Sequence, residues 1–130
     1  MKTLIVEDDF TSRLILQQIF SPYGECHMAM NGKEAIDAFI IATKESAPYN
    51  LICLDLMMPE MNGRDALKRI RKLENEFGIK ESDEVKILML SMMKDSQRVD
   101  DICREGATAY MVKPIVKETL LKHLTDFGLP

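Results

Sequence analysis

The sequence predicts an α/β fold with a parallel sheet covered by helices on both faces. Three observations predict it. Short apolar runs alternate with amphipathic stretches from one end of the 130 residues to the other. The apolar runs are near-continuous, lacking the in–out alternation of a half-exposed antiparallel sheet. Glycine, proline and Asn-Gly signals separate the segments. Five strands alternating with five helices imply βαβ crossovers, and residues 1–130 suit one domain with one core.

Each element has its own signal. Thr3-Leu4-Ile5-Val6 is a short apolar strand with carboxylates directly after it. Leu14 to Phe20 follows as a helix, with Ile15, Leu16, Ile19 and Phe20 at helical spacing, broken by Ser21-Pro22 and Gly24. Cys26 to Met30 reads as the second strand, closed by Asn31-Gly32, and Ala35, Ile36, Phe39 and Ile40 form the stripe of the second helix. Leu51 to Leu54 is a buried third strand ending at Asp55. Ala66, Leu67, Ile70 and Leu73 mark the third helix after Gly63. A polar connection from Glu74 to Lys86 overlaps the start of the fourth strand, Val85 to Leu90. Val99, Ile102 and Cys103 give a weakly apolar fourth helix. Ala109 to Val112 is the fifth strand, and Val116 to Leu124 the last helix, with Leu120, Leu121 and Leu124 inward.

Composition narrows the function. A formal net charge of -4 does not favour a direct grip on nucleic acid or an anionic membrane. No stretch approaches the roughly 20 apolar residues of a bilayer span. Met1-Lys2-Thr3 runs straight into a strand, so no signal peptide is expected, and a cytoplasmic location is the default. Cys26, Cys53 and Cys103 are too few and too far apart for a disulfide framework or a zinc site, and His27 and His123 sit in no ligand-spaced motif.

Open parallel sheets bind ligands beyond the carboxyl ends of their strands, and four of the five strands end in reactive or polar side chains. The first ends at Glu7-Asp8-Asp9, the third at Asp55, the fourth at Ser91 and the fifth at Lys113. Singly each has a plain reading: Asp8 or Asp9 as a helix cap, Asp55 as a strand end, Ser91 as a loop start, Lys113 as a solvated lysine. Together on one rim they make a chemistry. Crowded carboxylates at Asp8, Asp9 and Asp55 repel, and a divalent cation relieves that repulsion, Mg2+ being a hard ion that prefers oxygen. A carboxylate attacks an anionic phosphoryl group only when that charge is neutralised, which the ion and the Lys113 ammonium would share. The Ser91 hydroxyl can hydrogen-bond a phosphoryl oxygen.

At these residues the sequence closely resembles the response-regulator receiver domains of two-component signalling, in particular single-domain, chemotaxis-regulator-like members. The resemblance covers essentially the whole chain and is carried by LIVEDDF at 4–10, LICLDLMMPEMNG at 51–63, ILMLSM at 87–92 and GATAYMVKP at 106–114. It implies a flavodoxin-like, doubly wound sheet in the order 2-1-3-4-5. It implies that Asp55 is the phosphoacceptor, that Asp9 contacts Mg2+ (or Mn2+) directly with Asp8 acting through water, and that the Met57 backbone carbonyl is the third protein ligand. Ser91 matches the hydroxyl residue that follows the phosphoryl group, Lys113 the family's lysine before a cis proline, and Tyr110 the aromatic switch. Pro59, Met61 and Gly63 complete the loop after Asp55, with Gly63 expected to permit a backbone shape a larger residue would strain. The implied function is a phosphorylation-dependent switch rather than an enzyme. It would be fed by a histidine kinase or histidine phosphotransfer protein and would act on a downstream target through the face of the fourth helix, fifth strand and fifth helix, with Asp101, Arg104, Lys117 and Lys122 exposed there.

Two positions depart from a fast-hydrolysing pattern. Met57 and Met93 lie where the family tunes phosphoryl lifetime, and neither side chain orients water strongly, so slow self-dephosphorylation is expected. The ten methionines read equally as core filling or as an adaptable surface. Glu74 to Lys86 is longer and more charged than the family's usual link. Three rival readings remain at this point. An aspartyl phosphatase of the haloacid-dehalogenase type would need an acid at position 57. A flavodoxin would need a hydroxyl-rich loop where Asp8 and Asp9 stand. A degenerate receiver acting as a scaffold is disfavoured by the intact Asp9, Asp55, Ser91 and Lys113.

Overall fold

The computed structural model describes residues 1–58, 61–92 and 96–129, with backbone alone for 96–98. Its strands are β1 (Lys2–Val6), β2 (Glu25–Ala29), β3 (Leu51–Asp55), β4 (Lys86–Ser91) and β5 (Ala109–Val112). Its α-helices are α1 (Phe10–Phe20), α2 (Gly32–Lys44), α3 (Gly63–Glu76), α4 (Ser96–Arg104) and α5 (Lys117–Asp126). The five strands form one parallel sheet in the order β2-β1-β3-β4-β5, as the resemblance implies. Thr3 of β1 lies opposite Cys26 on one side and Leu51 on the other. The order reverses between β1 and β3, which fixes the switch point of the sheet at their carboxyl ends.

Both faces of the sheet are apolar because both are covered. Leu4, Val6, Ile52, Leu54, Ile87 and Met89 pack with α2, α3 and Ile102 of α4. The alternate residues Ile5, Leu51, Cys53, Leu88 and Leu90 pack with α1 and α5. Period-two alternation thus divides side chains between two cores rather than between core and water, which is why the strands read as unbroken apolar runs.

Among the described residues, three helices open on side-chain caps. Asp9, Asn31 and Asn62 accept hydrogen bonds from the backbone N–H groups of Ser12, Glu34 and Asp65, at 2.8, 2.9 and 2.9 Å. Such caps satisfy donors the first helical turn leaves unpaired.

The structure shifts several expectations. Leu16, Ile19 and Phe20 set the buried stripe of α1, and Ile15, one residue off that phase, is 39% exposed. On α4 only Ile102 is buried among 99–104; Val99 is half-buried and Cys103 exposed. Met30 lies outside β2 and is exposed, and Ile40 and Leu121 are half-buried. The polar 74–86 segment is not simply solvated. α3 runs on to Glu76 and stops at Gly78, whose φ of 72° suits glycine, before a 3-10 turn at Glu81–Asp83. Glu74, 1% exposed, accepts from Arg71 Nη1 at 2.7 Å and from the Val85 N–H at 2.8 Å.

Candidate functional site

The carboxyl ends of β1, β3, β4 and β5 bring the predicted side chains to one cleft of about 420 Å3, lined by Glu7, Asp8, Asp9, Ser12, Asp55, Met57, Ser91, Met92 and Lys113. Backbone pairing fixes this rim. The Glu7 N–H donates to Ala29 O at 3.1 Å, prolonging the β1–β2 ladder by one step, and the Leu56 N–H donates to Leu90 O at 2.9 Å. The Lys113 N–H donates to Ser91 O at 2.7 Å, which ties the residue after β5 to the last residue of β4. The Lys113–Pro114 bond is cis.

Within the cleft the Lys113 ammonium donates to Glu7 Oε2 at 2.8 Å and stands 3.5 Å from Asp55 Oδ2. The Met57 N–H donates to Asp55 Oδ1 at 3.3 Å. Asp55 is 6% exposed and Glu7 0%. Burial, the neighbouring Glu7 carboxylate and a hydrogen bond with it push the Asp55 carboxyl up to about 7, against the pull of Lys113 and the Met57 N–H. Burial pulls Lys113 down, but its hydrogen bond to Glu7 and the charges of Asp55 and Glu7 hold it above its ordinary value.

The carboxylates that converge are Glu7, Asp8 and Asp55, whose oxygens lie within 4.8 Å of one another. This corrects the expectation for Asp9. Its carboxylate accepts from the Ser12 N–H as the cap of α1, and that hydrogen bond is the main reason its carboxyl sits below the usual range. Asp9 lines the cleft but is turned to the helix terminus, whose partial positive charge attracts it. The expectation grouped Asp9 with Asp8 and Asp55, whereas Glu7 is the third carboxylate that converges with them here. The sequence left the choice open, since Asp8 and Asp9 both read as possible caps of α1.

The other expected residues fall as follows. Ser91 ends β4 and is buried at the cleft wall, while Tyr110 is half-buried on β5 opposite Met89. Met57 is 63% exposed at the mouth, beside the highly exposed Met92. Pro59 and Met93 lie outside the described residues. Met61 is half-buried, and its carbonyl accepts from the Gly32 N–H at 3.0 Å, joining the loop after β3 to the start of α2.

Gly63 needs its small size for a reason other than the expected one. Its φ is not positive; instead a Cβ there would stand 2.1 Å from the Asp55 carbonyl oxygen. Its N–H donates to Leu56 O at 2.9 Å, so the start of α3 is pressed onto the end of β3. Gly63→Ala is expected to cost about 1–3 kcal/mol in urea unfolding by overpacking.

A second cleft, about 450 Å3, lies at the other end of the sheet among Arg71, Glu84, Lys86, Arg104, Glu105 and Gly106. Arg71 and Glu105 there are already committed to ion pairs, and no set of carboxylates converges in it among the described residues. Among the described residues, the carboxylates that converge do so at the β1–β3 rim. Among the described residues no helix is long and apolar enough to cross a membrane.

Comparison with known proteins gives the family and the fold. Residues 3–125 match the family described as response regulator receiver domain. The chain is 31% identical over 125 residues to the chemotaxis protein CheY of Thermotoga maritima, covering 95% of this chain and 93% of that protein. It is 27% identical to the sensory/regulatory protein RpfC of Xanthomonas campestris, where 99% of this chain spans only 17% of the relative's length. In a co-crystal structure from Saccharomyces cerevisiae of the phosphotransfer protein Ypd1 with the receiver domain of Ssk1, the similar chain superposes with a TM-score of 0.84 at 26% identity. The match covers 98% of this chain and 88% of that one.

Proposed function

Because the chain belongs to the response regulator receiver domain family, the phosphoacceptor switches of phosphorelay signalling, we propose that Asp55 is its phosphoacceptor. The observation that carries this reading is the convergence of a buried strand-end aspartate with Glu7, Asp8 and the Lys113 ammonium. The donor is a phosphohistidine on a histidine kinase or phosphotransfer protein. An Asp55 oxygen forms a bond to phosphorus in line as the donor's phosphorus–nitrogen bond breaks, and the donor imidazole keeps the electron pair.

The residues fit a divalent cation. Three carboxylates share one cleft with one ammonium, a hard-oxygen set suited to Mg2+ or Mn2+. Asp8 and Asp55 would hold it, with the Met57 backbone carbonyl. Glu7 stands behind them, tied to Lys113 and to the Asp9 N–H. When bound, the ion neutralises charge on the phosphoryl oxygens. Lys113 supplies the second positive charge, and its pairing with Glu7 holds it on the Asp55 side of the cleft. Ser91 hydrogen-bonds the new phosphoryl group, and Tyr110 follows it inward. This biases a pre-existing equilibrium of the α4–β5–α5 face. The rival phosphatase reading lacks its acid, since an exposed methionine occupies position 57. A flavodoxin-type anion loop would meet Asp8 and Asp9 instead of hydroxyls.

The test is incubation with acetyl phosphate and Mg2+, read by intact mass. Wild type is expected to gain one phosphoryl group and Asp55→Asn none; an adduct on both, or on neither, refutes the assignment. Phosphoryl loss from wild type is expected to be slower than from Met57→Asn, because an exposed thioether orients water poorly. A faster wild type would remove that explanation.

A further inference from the structure

Among the described residues, two methionines stand more open to solvent than the others. Met92 is 80% exposed and Met57 63%, against 46% for Met30 and 37% for Met28. Met1, Met58 and Met61 are half-buried, and Met89 and Met111 are buried. The two open thioethers belong to one place. Met57 lies two residues after Asp55, the end of β3, and Met92 one residue after Ser91, the end of β4. Those strands pair with Asp55 opposite Leu90, and the Leu56 N–H prolongs the pairing by donating to Leu90 O at 2.9 Å. Adjacent strand ends thus bring both methionines to the lining of the Asp55 cleft.

Exposure decides which thioether meets a peroxide. The sulfur takes one peroxide oxygen, the O–O bond breaks, sulfur gives up two electrons, and water leaves; the product is a sulfoxide. Oxidation at Met89 or Met111 requires the cores to open first. At the cleft the change is one of kind. A thioether accepts hydrogen bonds weakly and leaves water unordered, whereas a sulfoxide is polar and presents an oxygen. Met57 is already tied to the strand-end carboxylate, its N–H donating to Asp55 Oδ1 at 3.3 Å. Its side chain lines the cleft by which water reaches that carboxylate.

We propose that Met57 and Met92 are sites of peroxide oxidation, and that their sulfoxides shorten the life of the phosphoryl group on Asp55. The proposal rests on Asp55 being the phosphoacceptor. A sulfoxide oxygen accepts a hydrogen bond from a cleft water and orients it. That water's oxygen bonds to phosphorus as the phosphorus–oxygen bond to Asp55 breaks. The aspartate keeps the electron pair, and both water protons leave with the inorganic phosphate. Peroxide then clears the switch without a partner protein. The step is reversible, because sulfoxide reductases return the thioether at the expense of a dithiol.

The test treats the full chain with hydrogen peroxide, removes the oxidant with catalase and locates sulfoxides by peptide fragmentation. The protein is then phosphorylated with acetyl phosphate and Mg2+, freed of the donor, and followed by intact mass. Met92 and Met57 are expected to oxidise before Met28, Met89 and Met111. Phosphoryl loss is expected to be about tenfold faster after oxidation, the worth of one hydrogen bond to the attacking water. Methionine sulfoxide reductases with dithiothreitol restore the slow rate; dithiothreitol alone, which reverses thiol oxidation, does not. Met57→Leu with Met92→Leu, a volume-conserving pair, shows the same rate with and without peroxide. Met28→Leu with Met30→Leu responds as wild type does. Sulfoxides at 57 and 92 with unchanged or slower loss overturn the proposal. So does a response that survives in Met57→Leu with Met92→Leu, recovery in dithiothreitol alone, or oxidation led by other methionines. Absence of an adduct on untreated wild type overturns the reading of Asp55, and the proposal with it.

Discussion

Arg71→Ala is expected to destabilise the protein by about 3–5 kcal/mol, the cost of leaving a buried charge without its partner. Arg71 is the shared partner of Glu74, Val85 O, Gly106 O and Thr108 Oγ1. Its removal strands a carboxylate 1% exposed and two backbone carbonyls at once. For a chain of 130 residues the midpoint of thermal unfolding should fall by roughly 10–20 °C. Glu74→Gln should cost much less. Burial holds the Glu74 carboxyl above its ordinary range despite Arg71 and the Val85 N–H, so its charge is a burden as well as a contact. The neutral amide can still accept from both donors. Urea titrations in which the two variants lose equal stability, or in which Arg71→Ala loses under about 1 kcal/mol, would show that the network is not the tie between α3 and β4.

Asp55→Asn is expected to be more stable than wild type by roughly 1–4 kcal/mol at pH 8 without divalent cations. The Asp55 carboxyl stands near 3.8 when unfolded and is pushed up to about 7 in the fold, by burial first and then by Glu7. A group raised on folding contributes stability that is present below its unfolded value and lost as pH rises through its folded value. The gap between the proteins should therefore open between about pH 4 and pH 7 and be absent below it. Adding Mg2+ should stabilise wild type more than the variant, because the ion binds the folded carboxylates. A wild type that is the more stable protein at pH 8, or an equal Mg2+ response in both, would contradict the crowding of Asp55 by Glu7.

Much of this was legible in one dimension. Leu51 to Leu54 could only be a strand buried on both faces, and the alternation of such runs with helical stripes left little choice but a parallel sheet. Strand ends at Asp55, Ser91 and Lys113 marked the rim because a parallel sheet places its carboxyl ends on one side. What misled was phase. Ile15 looked core-facing by composition, yet one helical step turns a side chain by 100°, and Leu16, Ile19 and Phe20 had already fixed the stripe. Glu7 and Asp9 were confused for a related reason, since two residues separate a strand's end from a helix's cap.

By itself the sequence determined the alternation of strands and helices and the rim on which the acids gather, since periodicity and strand ends are local properties of the chain; the strand order and the family came from the resemblance its motifs carry. Only the tertiary structure decided that Glu7 rather than Asp9 joins Asp8 and Asp55. It also decided that Gly63 is small to admit the Asp55 carbonyl, and that Arg71 and Glu105 bind the far corner. Those choices depend on contacts between residues from 8 positions apart, Asp55 and Gly63, to 106 apart, Glu7 and Lys113, or on the direction of a single side chain. Packing sets both, and no local pattern encodes them.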